Sequence, residues 1–208
     1  MGSIYKQASS VVVWLGEAWD GLDVVFEFFL RMAEDPMLHT ERSRLPSFEV
    51  NGLVFDSSEF REYLIRFCEM PWWKRVWTAQ EFILAKSVTF HCGRLLLPAE
   101  PLRKCLHHHG NHVGSCCKSS ELYSRENTFD KAVLPCLARI DRLYGVKHRR
   151  DSYTYTLLDL LSIIGSREAS DARDKIYGLL GLVTGYEVNL IEPDYTLIQL
   201  KRSLRDLP

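Results

Sequence analysis

Pro71–Gly93 reads PWWKRVWTAQEFILAKSVTFHCG. Three tryptophans, the adjacent cations Lys74 and Arg75, and Glu81 fall on what reads as one short helix running directly into a strand. Pro71 suits the first turn of such a helix, where its missing N–H would have had no partner. Tryptophan carries a large apolar area and an N–H that must be satisfied, so a cluster of them implies packing against something. Trp77 and Glu81 are four apart and share one helical face. A carboxylate beside an indole loses part of its water and becomes a candidate acid, base or ligand clamp. Spacing alone favours the plainer alternative, in which the tryptophans are core and Glu81 pairs with Lys74, Arg75 or a backbone group.

In the strand that follows, Val88, Phe90 and Cys92 alternate with Thr89 and His91. Val11–Leu15 is a near-continuous apolar run, as expected of a strand buried on both faces of a parallel sheet. Few other strands are legible. Asp20, with Asp23 three residues on, predicts the cap of a helix carrying Leu22, Val25, Phe26, Phe29 and Leu30 and ending before Pro36. Residues 36–57 read as irregular. Ser58 is a candidate cap for a helix with Phe60, Tyr63, Leu64 and Phe67 inside.

Beyond this point the pattern is mostly helical. Helices are predicted over 98–106, over Glu121–Tyr144 despite Pro135, over Leu157–Ile164 and over 172–182, with Asp171 capping the last. The expected fold class is therefore an α/β remnant, mostly helical: a small parallel sheet within residues 1–97, followed by a helical C-terminal half over 98–208.

Composition narrows the function. The chain has 208 residues, 46% hydrophobic and 25% charged, with a net charge of −1. That balance argues against a nucleic-acid partner, since no basic surplus exists to displace phosphate counterions. No apolar run approaches the roughly 18 residues of a membrane span, and no secretory leader is evident. A cytoplasmic location with reduced thiols is expected. Cys105, His107, His108, His109, His112, Cys116 and Cys117 cluster in sequence. Their order differs from common zinc fingers, and Gly110 and Gly114 oppose a preformed site, so 110–120 reads as a polar loop with no resident metal.

Three blocks resemble the fungal heterokaryon incompatibility (HET) domain. The first is MGSIYKQASSVVVWLGEA at the amino terminus; the second is PWWKRVWTAQEFILAKSVTFHCG; the third is SDARDKIYGLLGLVTGYEVNLIEPDYT. The family's two opening strands have no counterpart here, which suggests an N-terminally truncated member with sheet neighbours lost and leaves a non-functional fragment as one reading. The resemblance implies an effector or interaction module in self/non-self recognition and programmed cell death. It acts with protein partners of the incompatibility pathway, with self-association through an open strand flank.

HET domains are in turn similar to Toll/interleukin-1 receptor (TIR) domains, some of which cleave NAD. That distant likeness implies Glu81 as a catalytic carboxylate, with Trp73, Arg75, Trp77 and Gln80 binding the ligand. NAD is then a substrate, and no cofactor is expected. Trp14, Gly16, Asp171, Arg173, Asp174 and Tyr177 take structural roles under the same resemblance. No glycine-rich phosphate loop is present. Asp171, Arg173 and Asp174 carry two readings: a helix cap with a surface ion pair, or a pair that reaches back to the tryptophan helix and locks the helical half onto the sheet.

Overall fold

The computed structural model describes residues 2–41, 43–55, 57–117, 128–185 and 191–196. A short helix α1 (Gly2–Gln7) leads into strand β1 (Val11–Gly16) and helix α2 (Leu22–Glu34). A hairpin, β2 (Glu49–Val50) and β3 (Leu53–Val54), precedes helix α3 (Ser58–Glu69) and a 3-10 turn at Pro71–Trp73. Helix α4 (Thr78–Ile83), strands β4 (Val88–Cys92) and β5 (Leu95–Pro98), and helices α5 (Ala99–Gly114), α6 (Thr128–Arg149), α7 (Leu157–Ile164) and α8 (Asp174–Leu180) follow. The mostly helical α/β expectation holds. Among the described residues no helix is long and apolar enough to cross a membrane.

The main sheet has three strands in the order β1-β4-β5. β1 runs parallel to β4, but β5 runs antiparallel to it, so the sheet is mixed rather than all-parallel. Three consecutive leucines hide β5 from an alternation search, while Gly93 at φ 55° makes the tight return. Among the described residues β1 is an edge strand, not the two-face-buried strand its apolar run suggests. Val13 and Leu15 point into the core, whereas Val12 and Trp14 are 60% and 54% exposed. Trp14 stands in register with His91 and then Leu96, so the outer sheet face carries an exposed apolar row. Gly16 closes the strand at φ 122°, where a bulge shifts the register.

The inner face packs on α2, α4 and α5. Phe28 sits among Phe29, Phe48, Phe55 and Phe60, and Trp72 and Trp73 meet Phe82 and Phe90. One buried cluster runs from Val13 to Val183, so sheet and helical half share a core. Lys147 on α6 donates to the carbonyls of Phe82, at 3.0 Å, and Ala85, satisfying orphan acceptors at the end of α4.

Several predicted caps move. Gly21 at φ 92°, not Asp20, opens α2, and no side chain caps it. Ser57, one residue before Ser58, accepts from the Phe60 amide at 3.2 Å. α7 matches its predicted span, opened by a Thr156–Asp159 capping box. The irregular stretch 36–57 contains the β2–β3 hairpin, turned by Asn51 and Gly52 at φ 53° and 79°. Helix α6 ends at Arg149, beyond the predicted Tyr144, and the predicted start at Glu121 lies outside the described residues.

Gly21 has no room for a side chain. An added Cβ there would lie 2.4 Å from the Tyr63 ring, on a left-handed backbone. Gly21→Ala should lower the unfolding free energy by at least about 1 kcal/mol, measured by urea titration. Trp14→Thr, which removes apolar area from the open strand, should reduce concentration-dependent association in light scattering; association unchanged by the substitution would clear this face of responsibility.

Candidate functional site

The predicted tryptophan helix is two pieces. The chain makes the 3-10 turn at Pro71–Trp73, breaks through Lys74–Trp77, and restarts as α4 at Thr78. The break is filled by the segment after α7. Arg75 and Glu168 form an isolated parallel bridge: the Val76 amide donates to Glu168 O at 2.9 Å, and the Glu168 amide donates to Lys74 O at 2.7 Å. Backbone groups that a continuous helix would have paired internally are thus paired across the chain.

Arg167 sits beneath this bridge, 1% exposed. Its Nη1 donates to Trp73 O at 3.0 Å, Arg75 O at 3.2 Å and Thr78 Oγ1 at 3.2 Å. Thr78 Oγ1 itself lies 2.9 Å from Trp72 O and 2.6 Å from Arg75 O. Burial, reinforced by the nearby Arg139 cation, pulls the Arg167 guanidinium down to about 10, which leaves it charged at neutral pH.

Glu81 does share a hydrogen bond with an indole, but the partner is Trp72, whose Nε1 donates to Glu81 Oε2 at 3.0 Å. Helical spacing to Trp77 does not decide the partner, because the 3-10 turn folds Trp72 back over α4. Glu81 is half-buried and close to Tyr5 of α1; burial first, and the Glu81 charge second, raise the Tyr5 phenol. Trp77 turns toward α8 instead: a Cβ built on Gly178 would touch the Val76 methyls at 3.2 Å and Trp77 Cδ2 at 3.6 Å.

Trp73 is fully buried against Trp72, Phe67 and Phe90. Gln80 is 2% exposed and donates from Nε2 to Gly178 O at 2.8 Å. A Cβ on Gly181 would lie 2.7 Å from Gln80 Oε1, so α8 approaches α4 by means of its glycines. Both side chains serve packing and present no surface to a ligand.

In the third block, Arg173 pairs locally. Its Nη2 lies 2.7 Å from Asp171 Oδ2, and its amide donates to Asp171 Oδ1 at 2.9 Å. Asp171 therefore caps the turn before α8, with Arg173 rather than Asp171 at the helix cap position. The end of the block folds back on its start. Tyr195 donates to Asp174 Oδ1 at 2.6 Å, and this bond, with burial, pushes the Tyr195 phenol up to about 12. Arg173 lies over the Tyr195 ring at 5.1 Å, and Tyr177 Oη bonds both backbone groups of Asp194. The reach back to the tryptophan block exists, but Arg167 and Glu168 make it. Neither was singled out from sequence: SREAS follows an apolar helix and carries no motif that marks a buried cation.

Where the two blocks meet, a cleft of about 440 Å³ opens, lined by Arg75, Trp77, Glu168, Ala169, Ser170 and Asp174. Of the predicted site residues it gathers Arg75, Trp77 and Asp174; Trp73, Gln80 and Glu81 lie elsewhere. An exposed guanidinium fork, a half-buried indole and two carboxylates suit recognition of a polar, partly aromatic or charged group. The lining has no His or Cys; Ser170 supplies a hydroxyl, and Glu168 and Asp174 supply carboxylates, of which Asp174 is engaged by Tyr195. Trp14 and Gly16 lie on the sheet edge, far along the chain from this cleft.

The family model described as "Heterokaryon incompatibility protein (HET)" matches residues 1–81. The chain is similar to "Heterokaryon incompatibility protein 6, OR allele" of Neurospora crassa, 26% identical over 231 residues that cover 94% of this chain and 33% of that protein. It thus spans about a third of the length of the curated relative it matches. No solved structure matches the chain. The HET resemblance read from the sequence is supported by both matches; neither speaks to a TIR likeness.

Arg167→Met should destabilise the fold by roughly 2–4 kcal/mol, because two buried acceptors and one part-buried acceptor lose a donor. Arg173→Met, whose pair with Asp171 and contact with the Tyr195 ring are both at the surface, should cost less, about 1 kcal/mol. Denaturant midpoints of the two variants test the contrast, and equal losses would place the lock elsewhere.

Proposed function

We propose that this chain is the HET portion of a fungal incompatibility protein and works as an effector or interaction module in self/non-self recognition and programmed cell death. The observation that carries this reading is the convergence of two sequence blocks, 99 residues apart between Arg75 and Asp174, on one polar cleft. The similarity to a heterokaryon incompatibility protein supports the same role. In this reading the cleft binds a protein partner of the incompatibility pathway, with Arg75 taking a carboxylate and Trp77 offering an apolar plate. The α/β part over 1–97 and the helical part over 98–208 act as one unit, because Gln80 bonds Gly178 O, Arg167 bonds the carbonyls of Trp73 and Arg75, and Glu168 bridges Arg75; the unit works in the cytoplasm.

The alternative, NAD cleavage by a TIR-like mechanism, rests on Glu81. That carboxylate is occupied by Trp72 Nε1 and is absent from the cleft lining, which favours a structural role. Induced expression in a fungal host separates the two. Arg75→Glu should abolish cell death while leaving the thermal midpoint near that of the parent, and Trp77→Phe, which keeps an aromatic ring against α8, should weaken it. Glu81→Gln should leave cellular NAD unchanged relative to the parent chain. Killing that persists undiminished in both cleft variants would remove the cleft from the mechanism, and NAD loss that vanishes only in Glu81→Gln would establish the enzymatic reading instead.

A further inference from the structure

The segment 110–120, expected from sequence to be a polar loop, is helical through Gly114. Gly110 and Gly114 do not break α5, and their Cβ positions face open space. The extra turn carries His112 to the helix end. The chain then reverses tightly, with Ser115 and Cys117 donating their amides to His112 O at 3.1 and 2.8 Å. Cys116 and Cys117 are thereby folded back against His112. A fourth group arrives from far away in sequence: His39, fixed by backbone bonds from its own amide to Pro46 O at 2.7 Å and from the Phe48 amide to its carbonyl at 3.0 Å.

We propose that His39, His112, Cys116 and Cys117 form a structural zinc site. One ligand atom from each lies within 4.8 Å of all the others. A tetrahedral zinc with the usual Zn–S and Zn–N lengths places its ligand atoms roughly 3.3–3.8 Å apart. Here His39 Nδ1 is 3.5 Å from both sulfurs, the sulfurs are 3.9 Å apart, and His112 Nδ1 is 3.0 and 3.9 Å from them. The two sulfurs stand far beyond the roughly 2.05 Å of a disulfide bond, and both cysteines are free. Two thiolates and two imidazoles in this arrangement select zinc over hard cations.

The second layer is also in place. His112 Nε2 lies 2.7 Å from Pro36 O. A carbonyl only accepts, so Nε2 carries the proton and Nδ1 presents its lone pair to the cluster. His112 and Cys117 are buried, while His39 and Cys116 are half-buried, which leaves a path for the ion to enter. No local motif marks this group in the sequence, because His39 lies 73 residues before His112. The ion would staple residues 36–48, which hold little regular structure, to the end of α5.

Untagged full-length chain, purified from zinc-supplemented medium and dialysed against metal-free buffer, should retain one equivalent of zinc by mass spectrometry. His112→Ala and Cys117→Ser should lose it, while His107→Ala, exposed on the same helix, should keep it. Since a ligand variant can fail to fold, the parent chain supplies an independent reading. Cobalt replacing the zinc should give intense visible bands of a tetrahedral thiolate complex, and a strong chelator should lower the thermal midpoint. Substoichiometric zinc in the parent, weak octahedral cobalt spectra, or full zinc retention in His112→Ala would each overturn the site.

Discussion

A single buried cation organises the centre of this protein. Arg167 is held by main-chain carbonyls rather than by a carboxylate. A guanidinium there needs acceptors that cannot move away, and the broken stretch between Trp73 and Thr78 provides them. Conversely, that stretch stays out of helical conformation because its carbonyls are paired outward, to Arg167, Thr78 and the Glu168 amide. Each side of the contact leaves the other without partners if removed, which makes the arrangement cooperative. The 3-10 turn, the position of α4 and the placement of α7 and α8 all follow from it.

The same contact explains the division of labour among the tryptophans. With the chain broken after Trp73, Trp72 and Trp73 drop into the aromatic core and Trp72 reaches Glu81, while Trp77 turns outward toward α8. Gly178 and Gly181 then let α8 approach closely enough for Gln80 to bond a backbone carbonyl. The cleft is the remaining gap between two segments that touch on either side of it. It presents a guanidinium fork, an indole plate, a serine hydroxyl and two carboxylates, one of them engaged by Tyr195.

What could be read from the sequence was what depends on local pattern. Periodicity located α2, α3 and α7, and alternation located β4, because those faces are decided by neighbours three, four or two residues away. The failures share one cause. The edge position of β1, the strand β5, the Arg167 lock and the His39 contribution depend on contacts distant in sequence, for which no local spacing exists. Glu81 is the instructive intermediate. An indole–carboxylate bond was legible, but its partner was not, since i,i+4 geometry presumes a helix that Glu168 interrupts.

The edge position of β1 bears on how such a module meets others. Its inward residues are sealed in the core, yet its outer face presents Val12 and Trp14 beside Leu96 of β5, and among the described residues its far edge has no strand partner. Unpaired amides with apolar side chains above them combine the two ingredients of strand addition. The cleft and this edge are distinct surfaces, one charged and the other apolar. The two surfaces are structurally independent: substitutions at Arg75 would leave the β1 ladder intact, and substitutions at Val12 would leave the Arg167 contact intact.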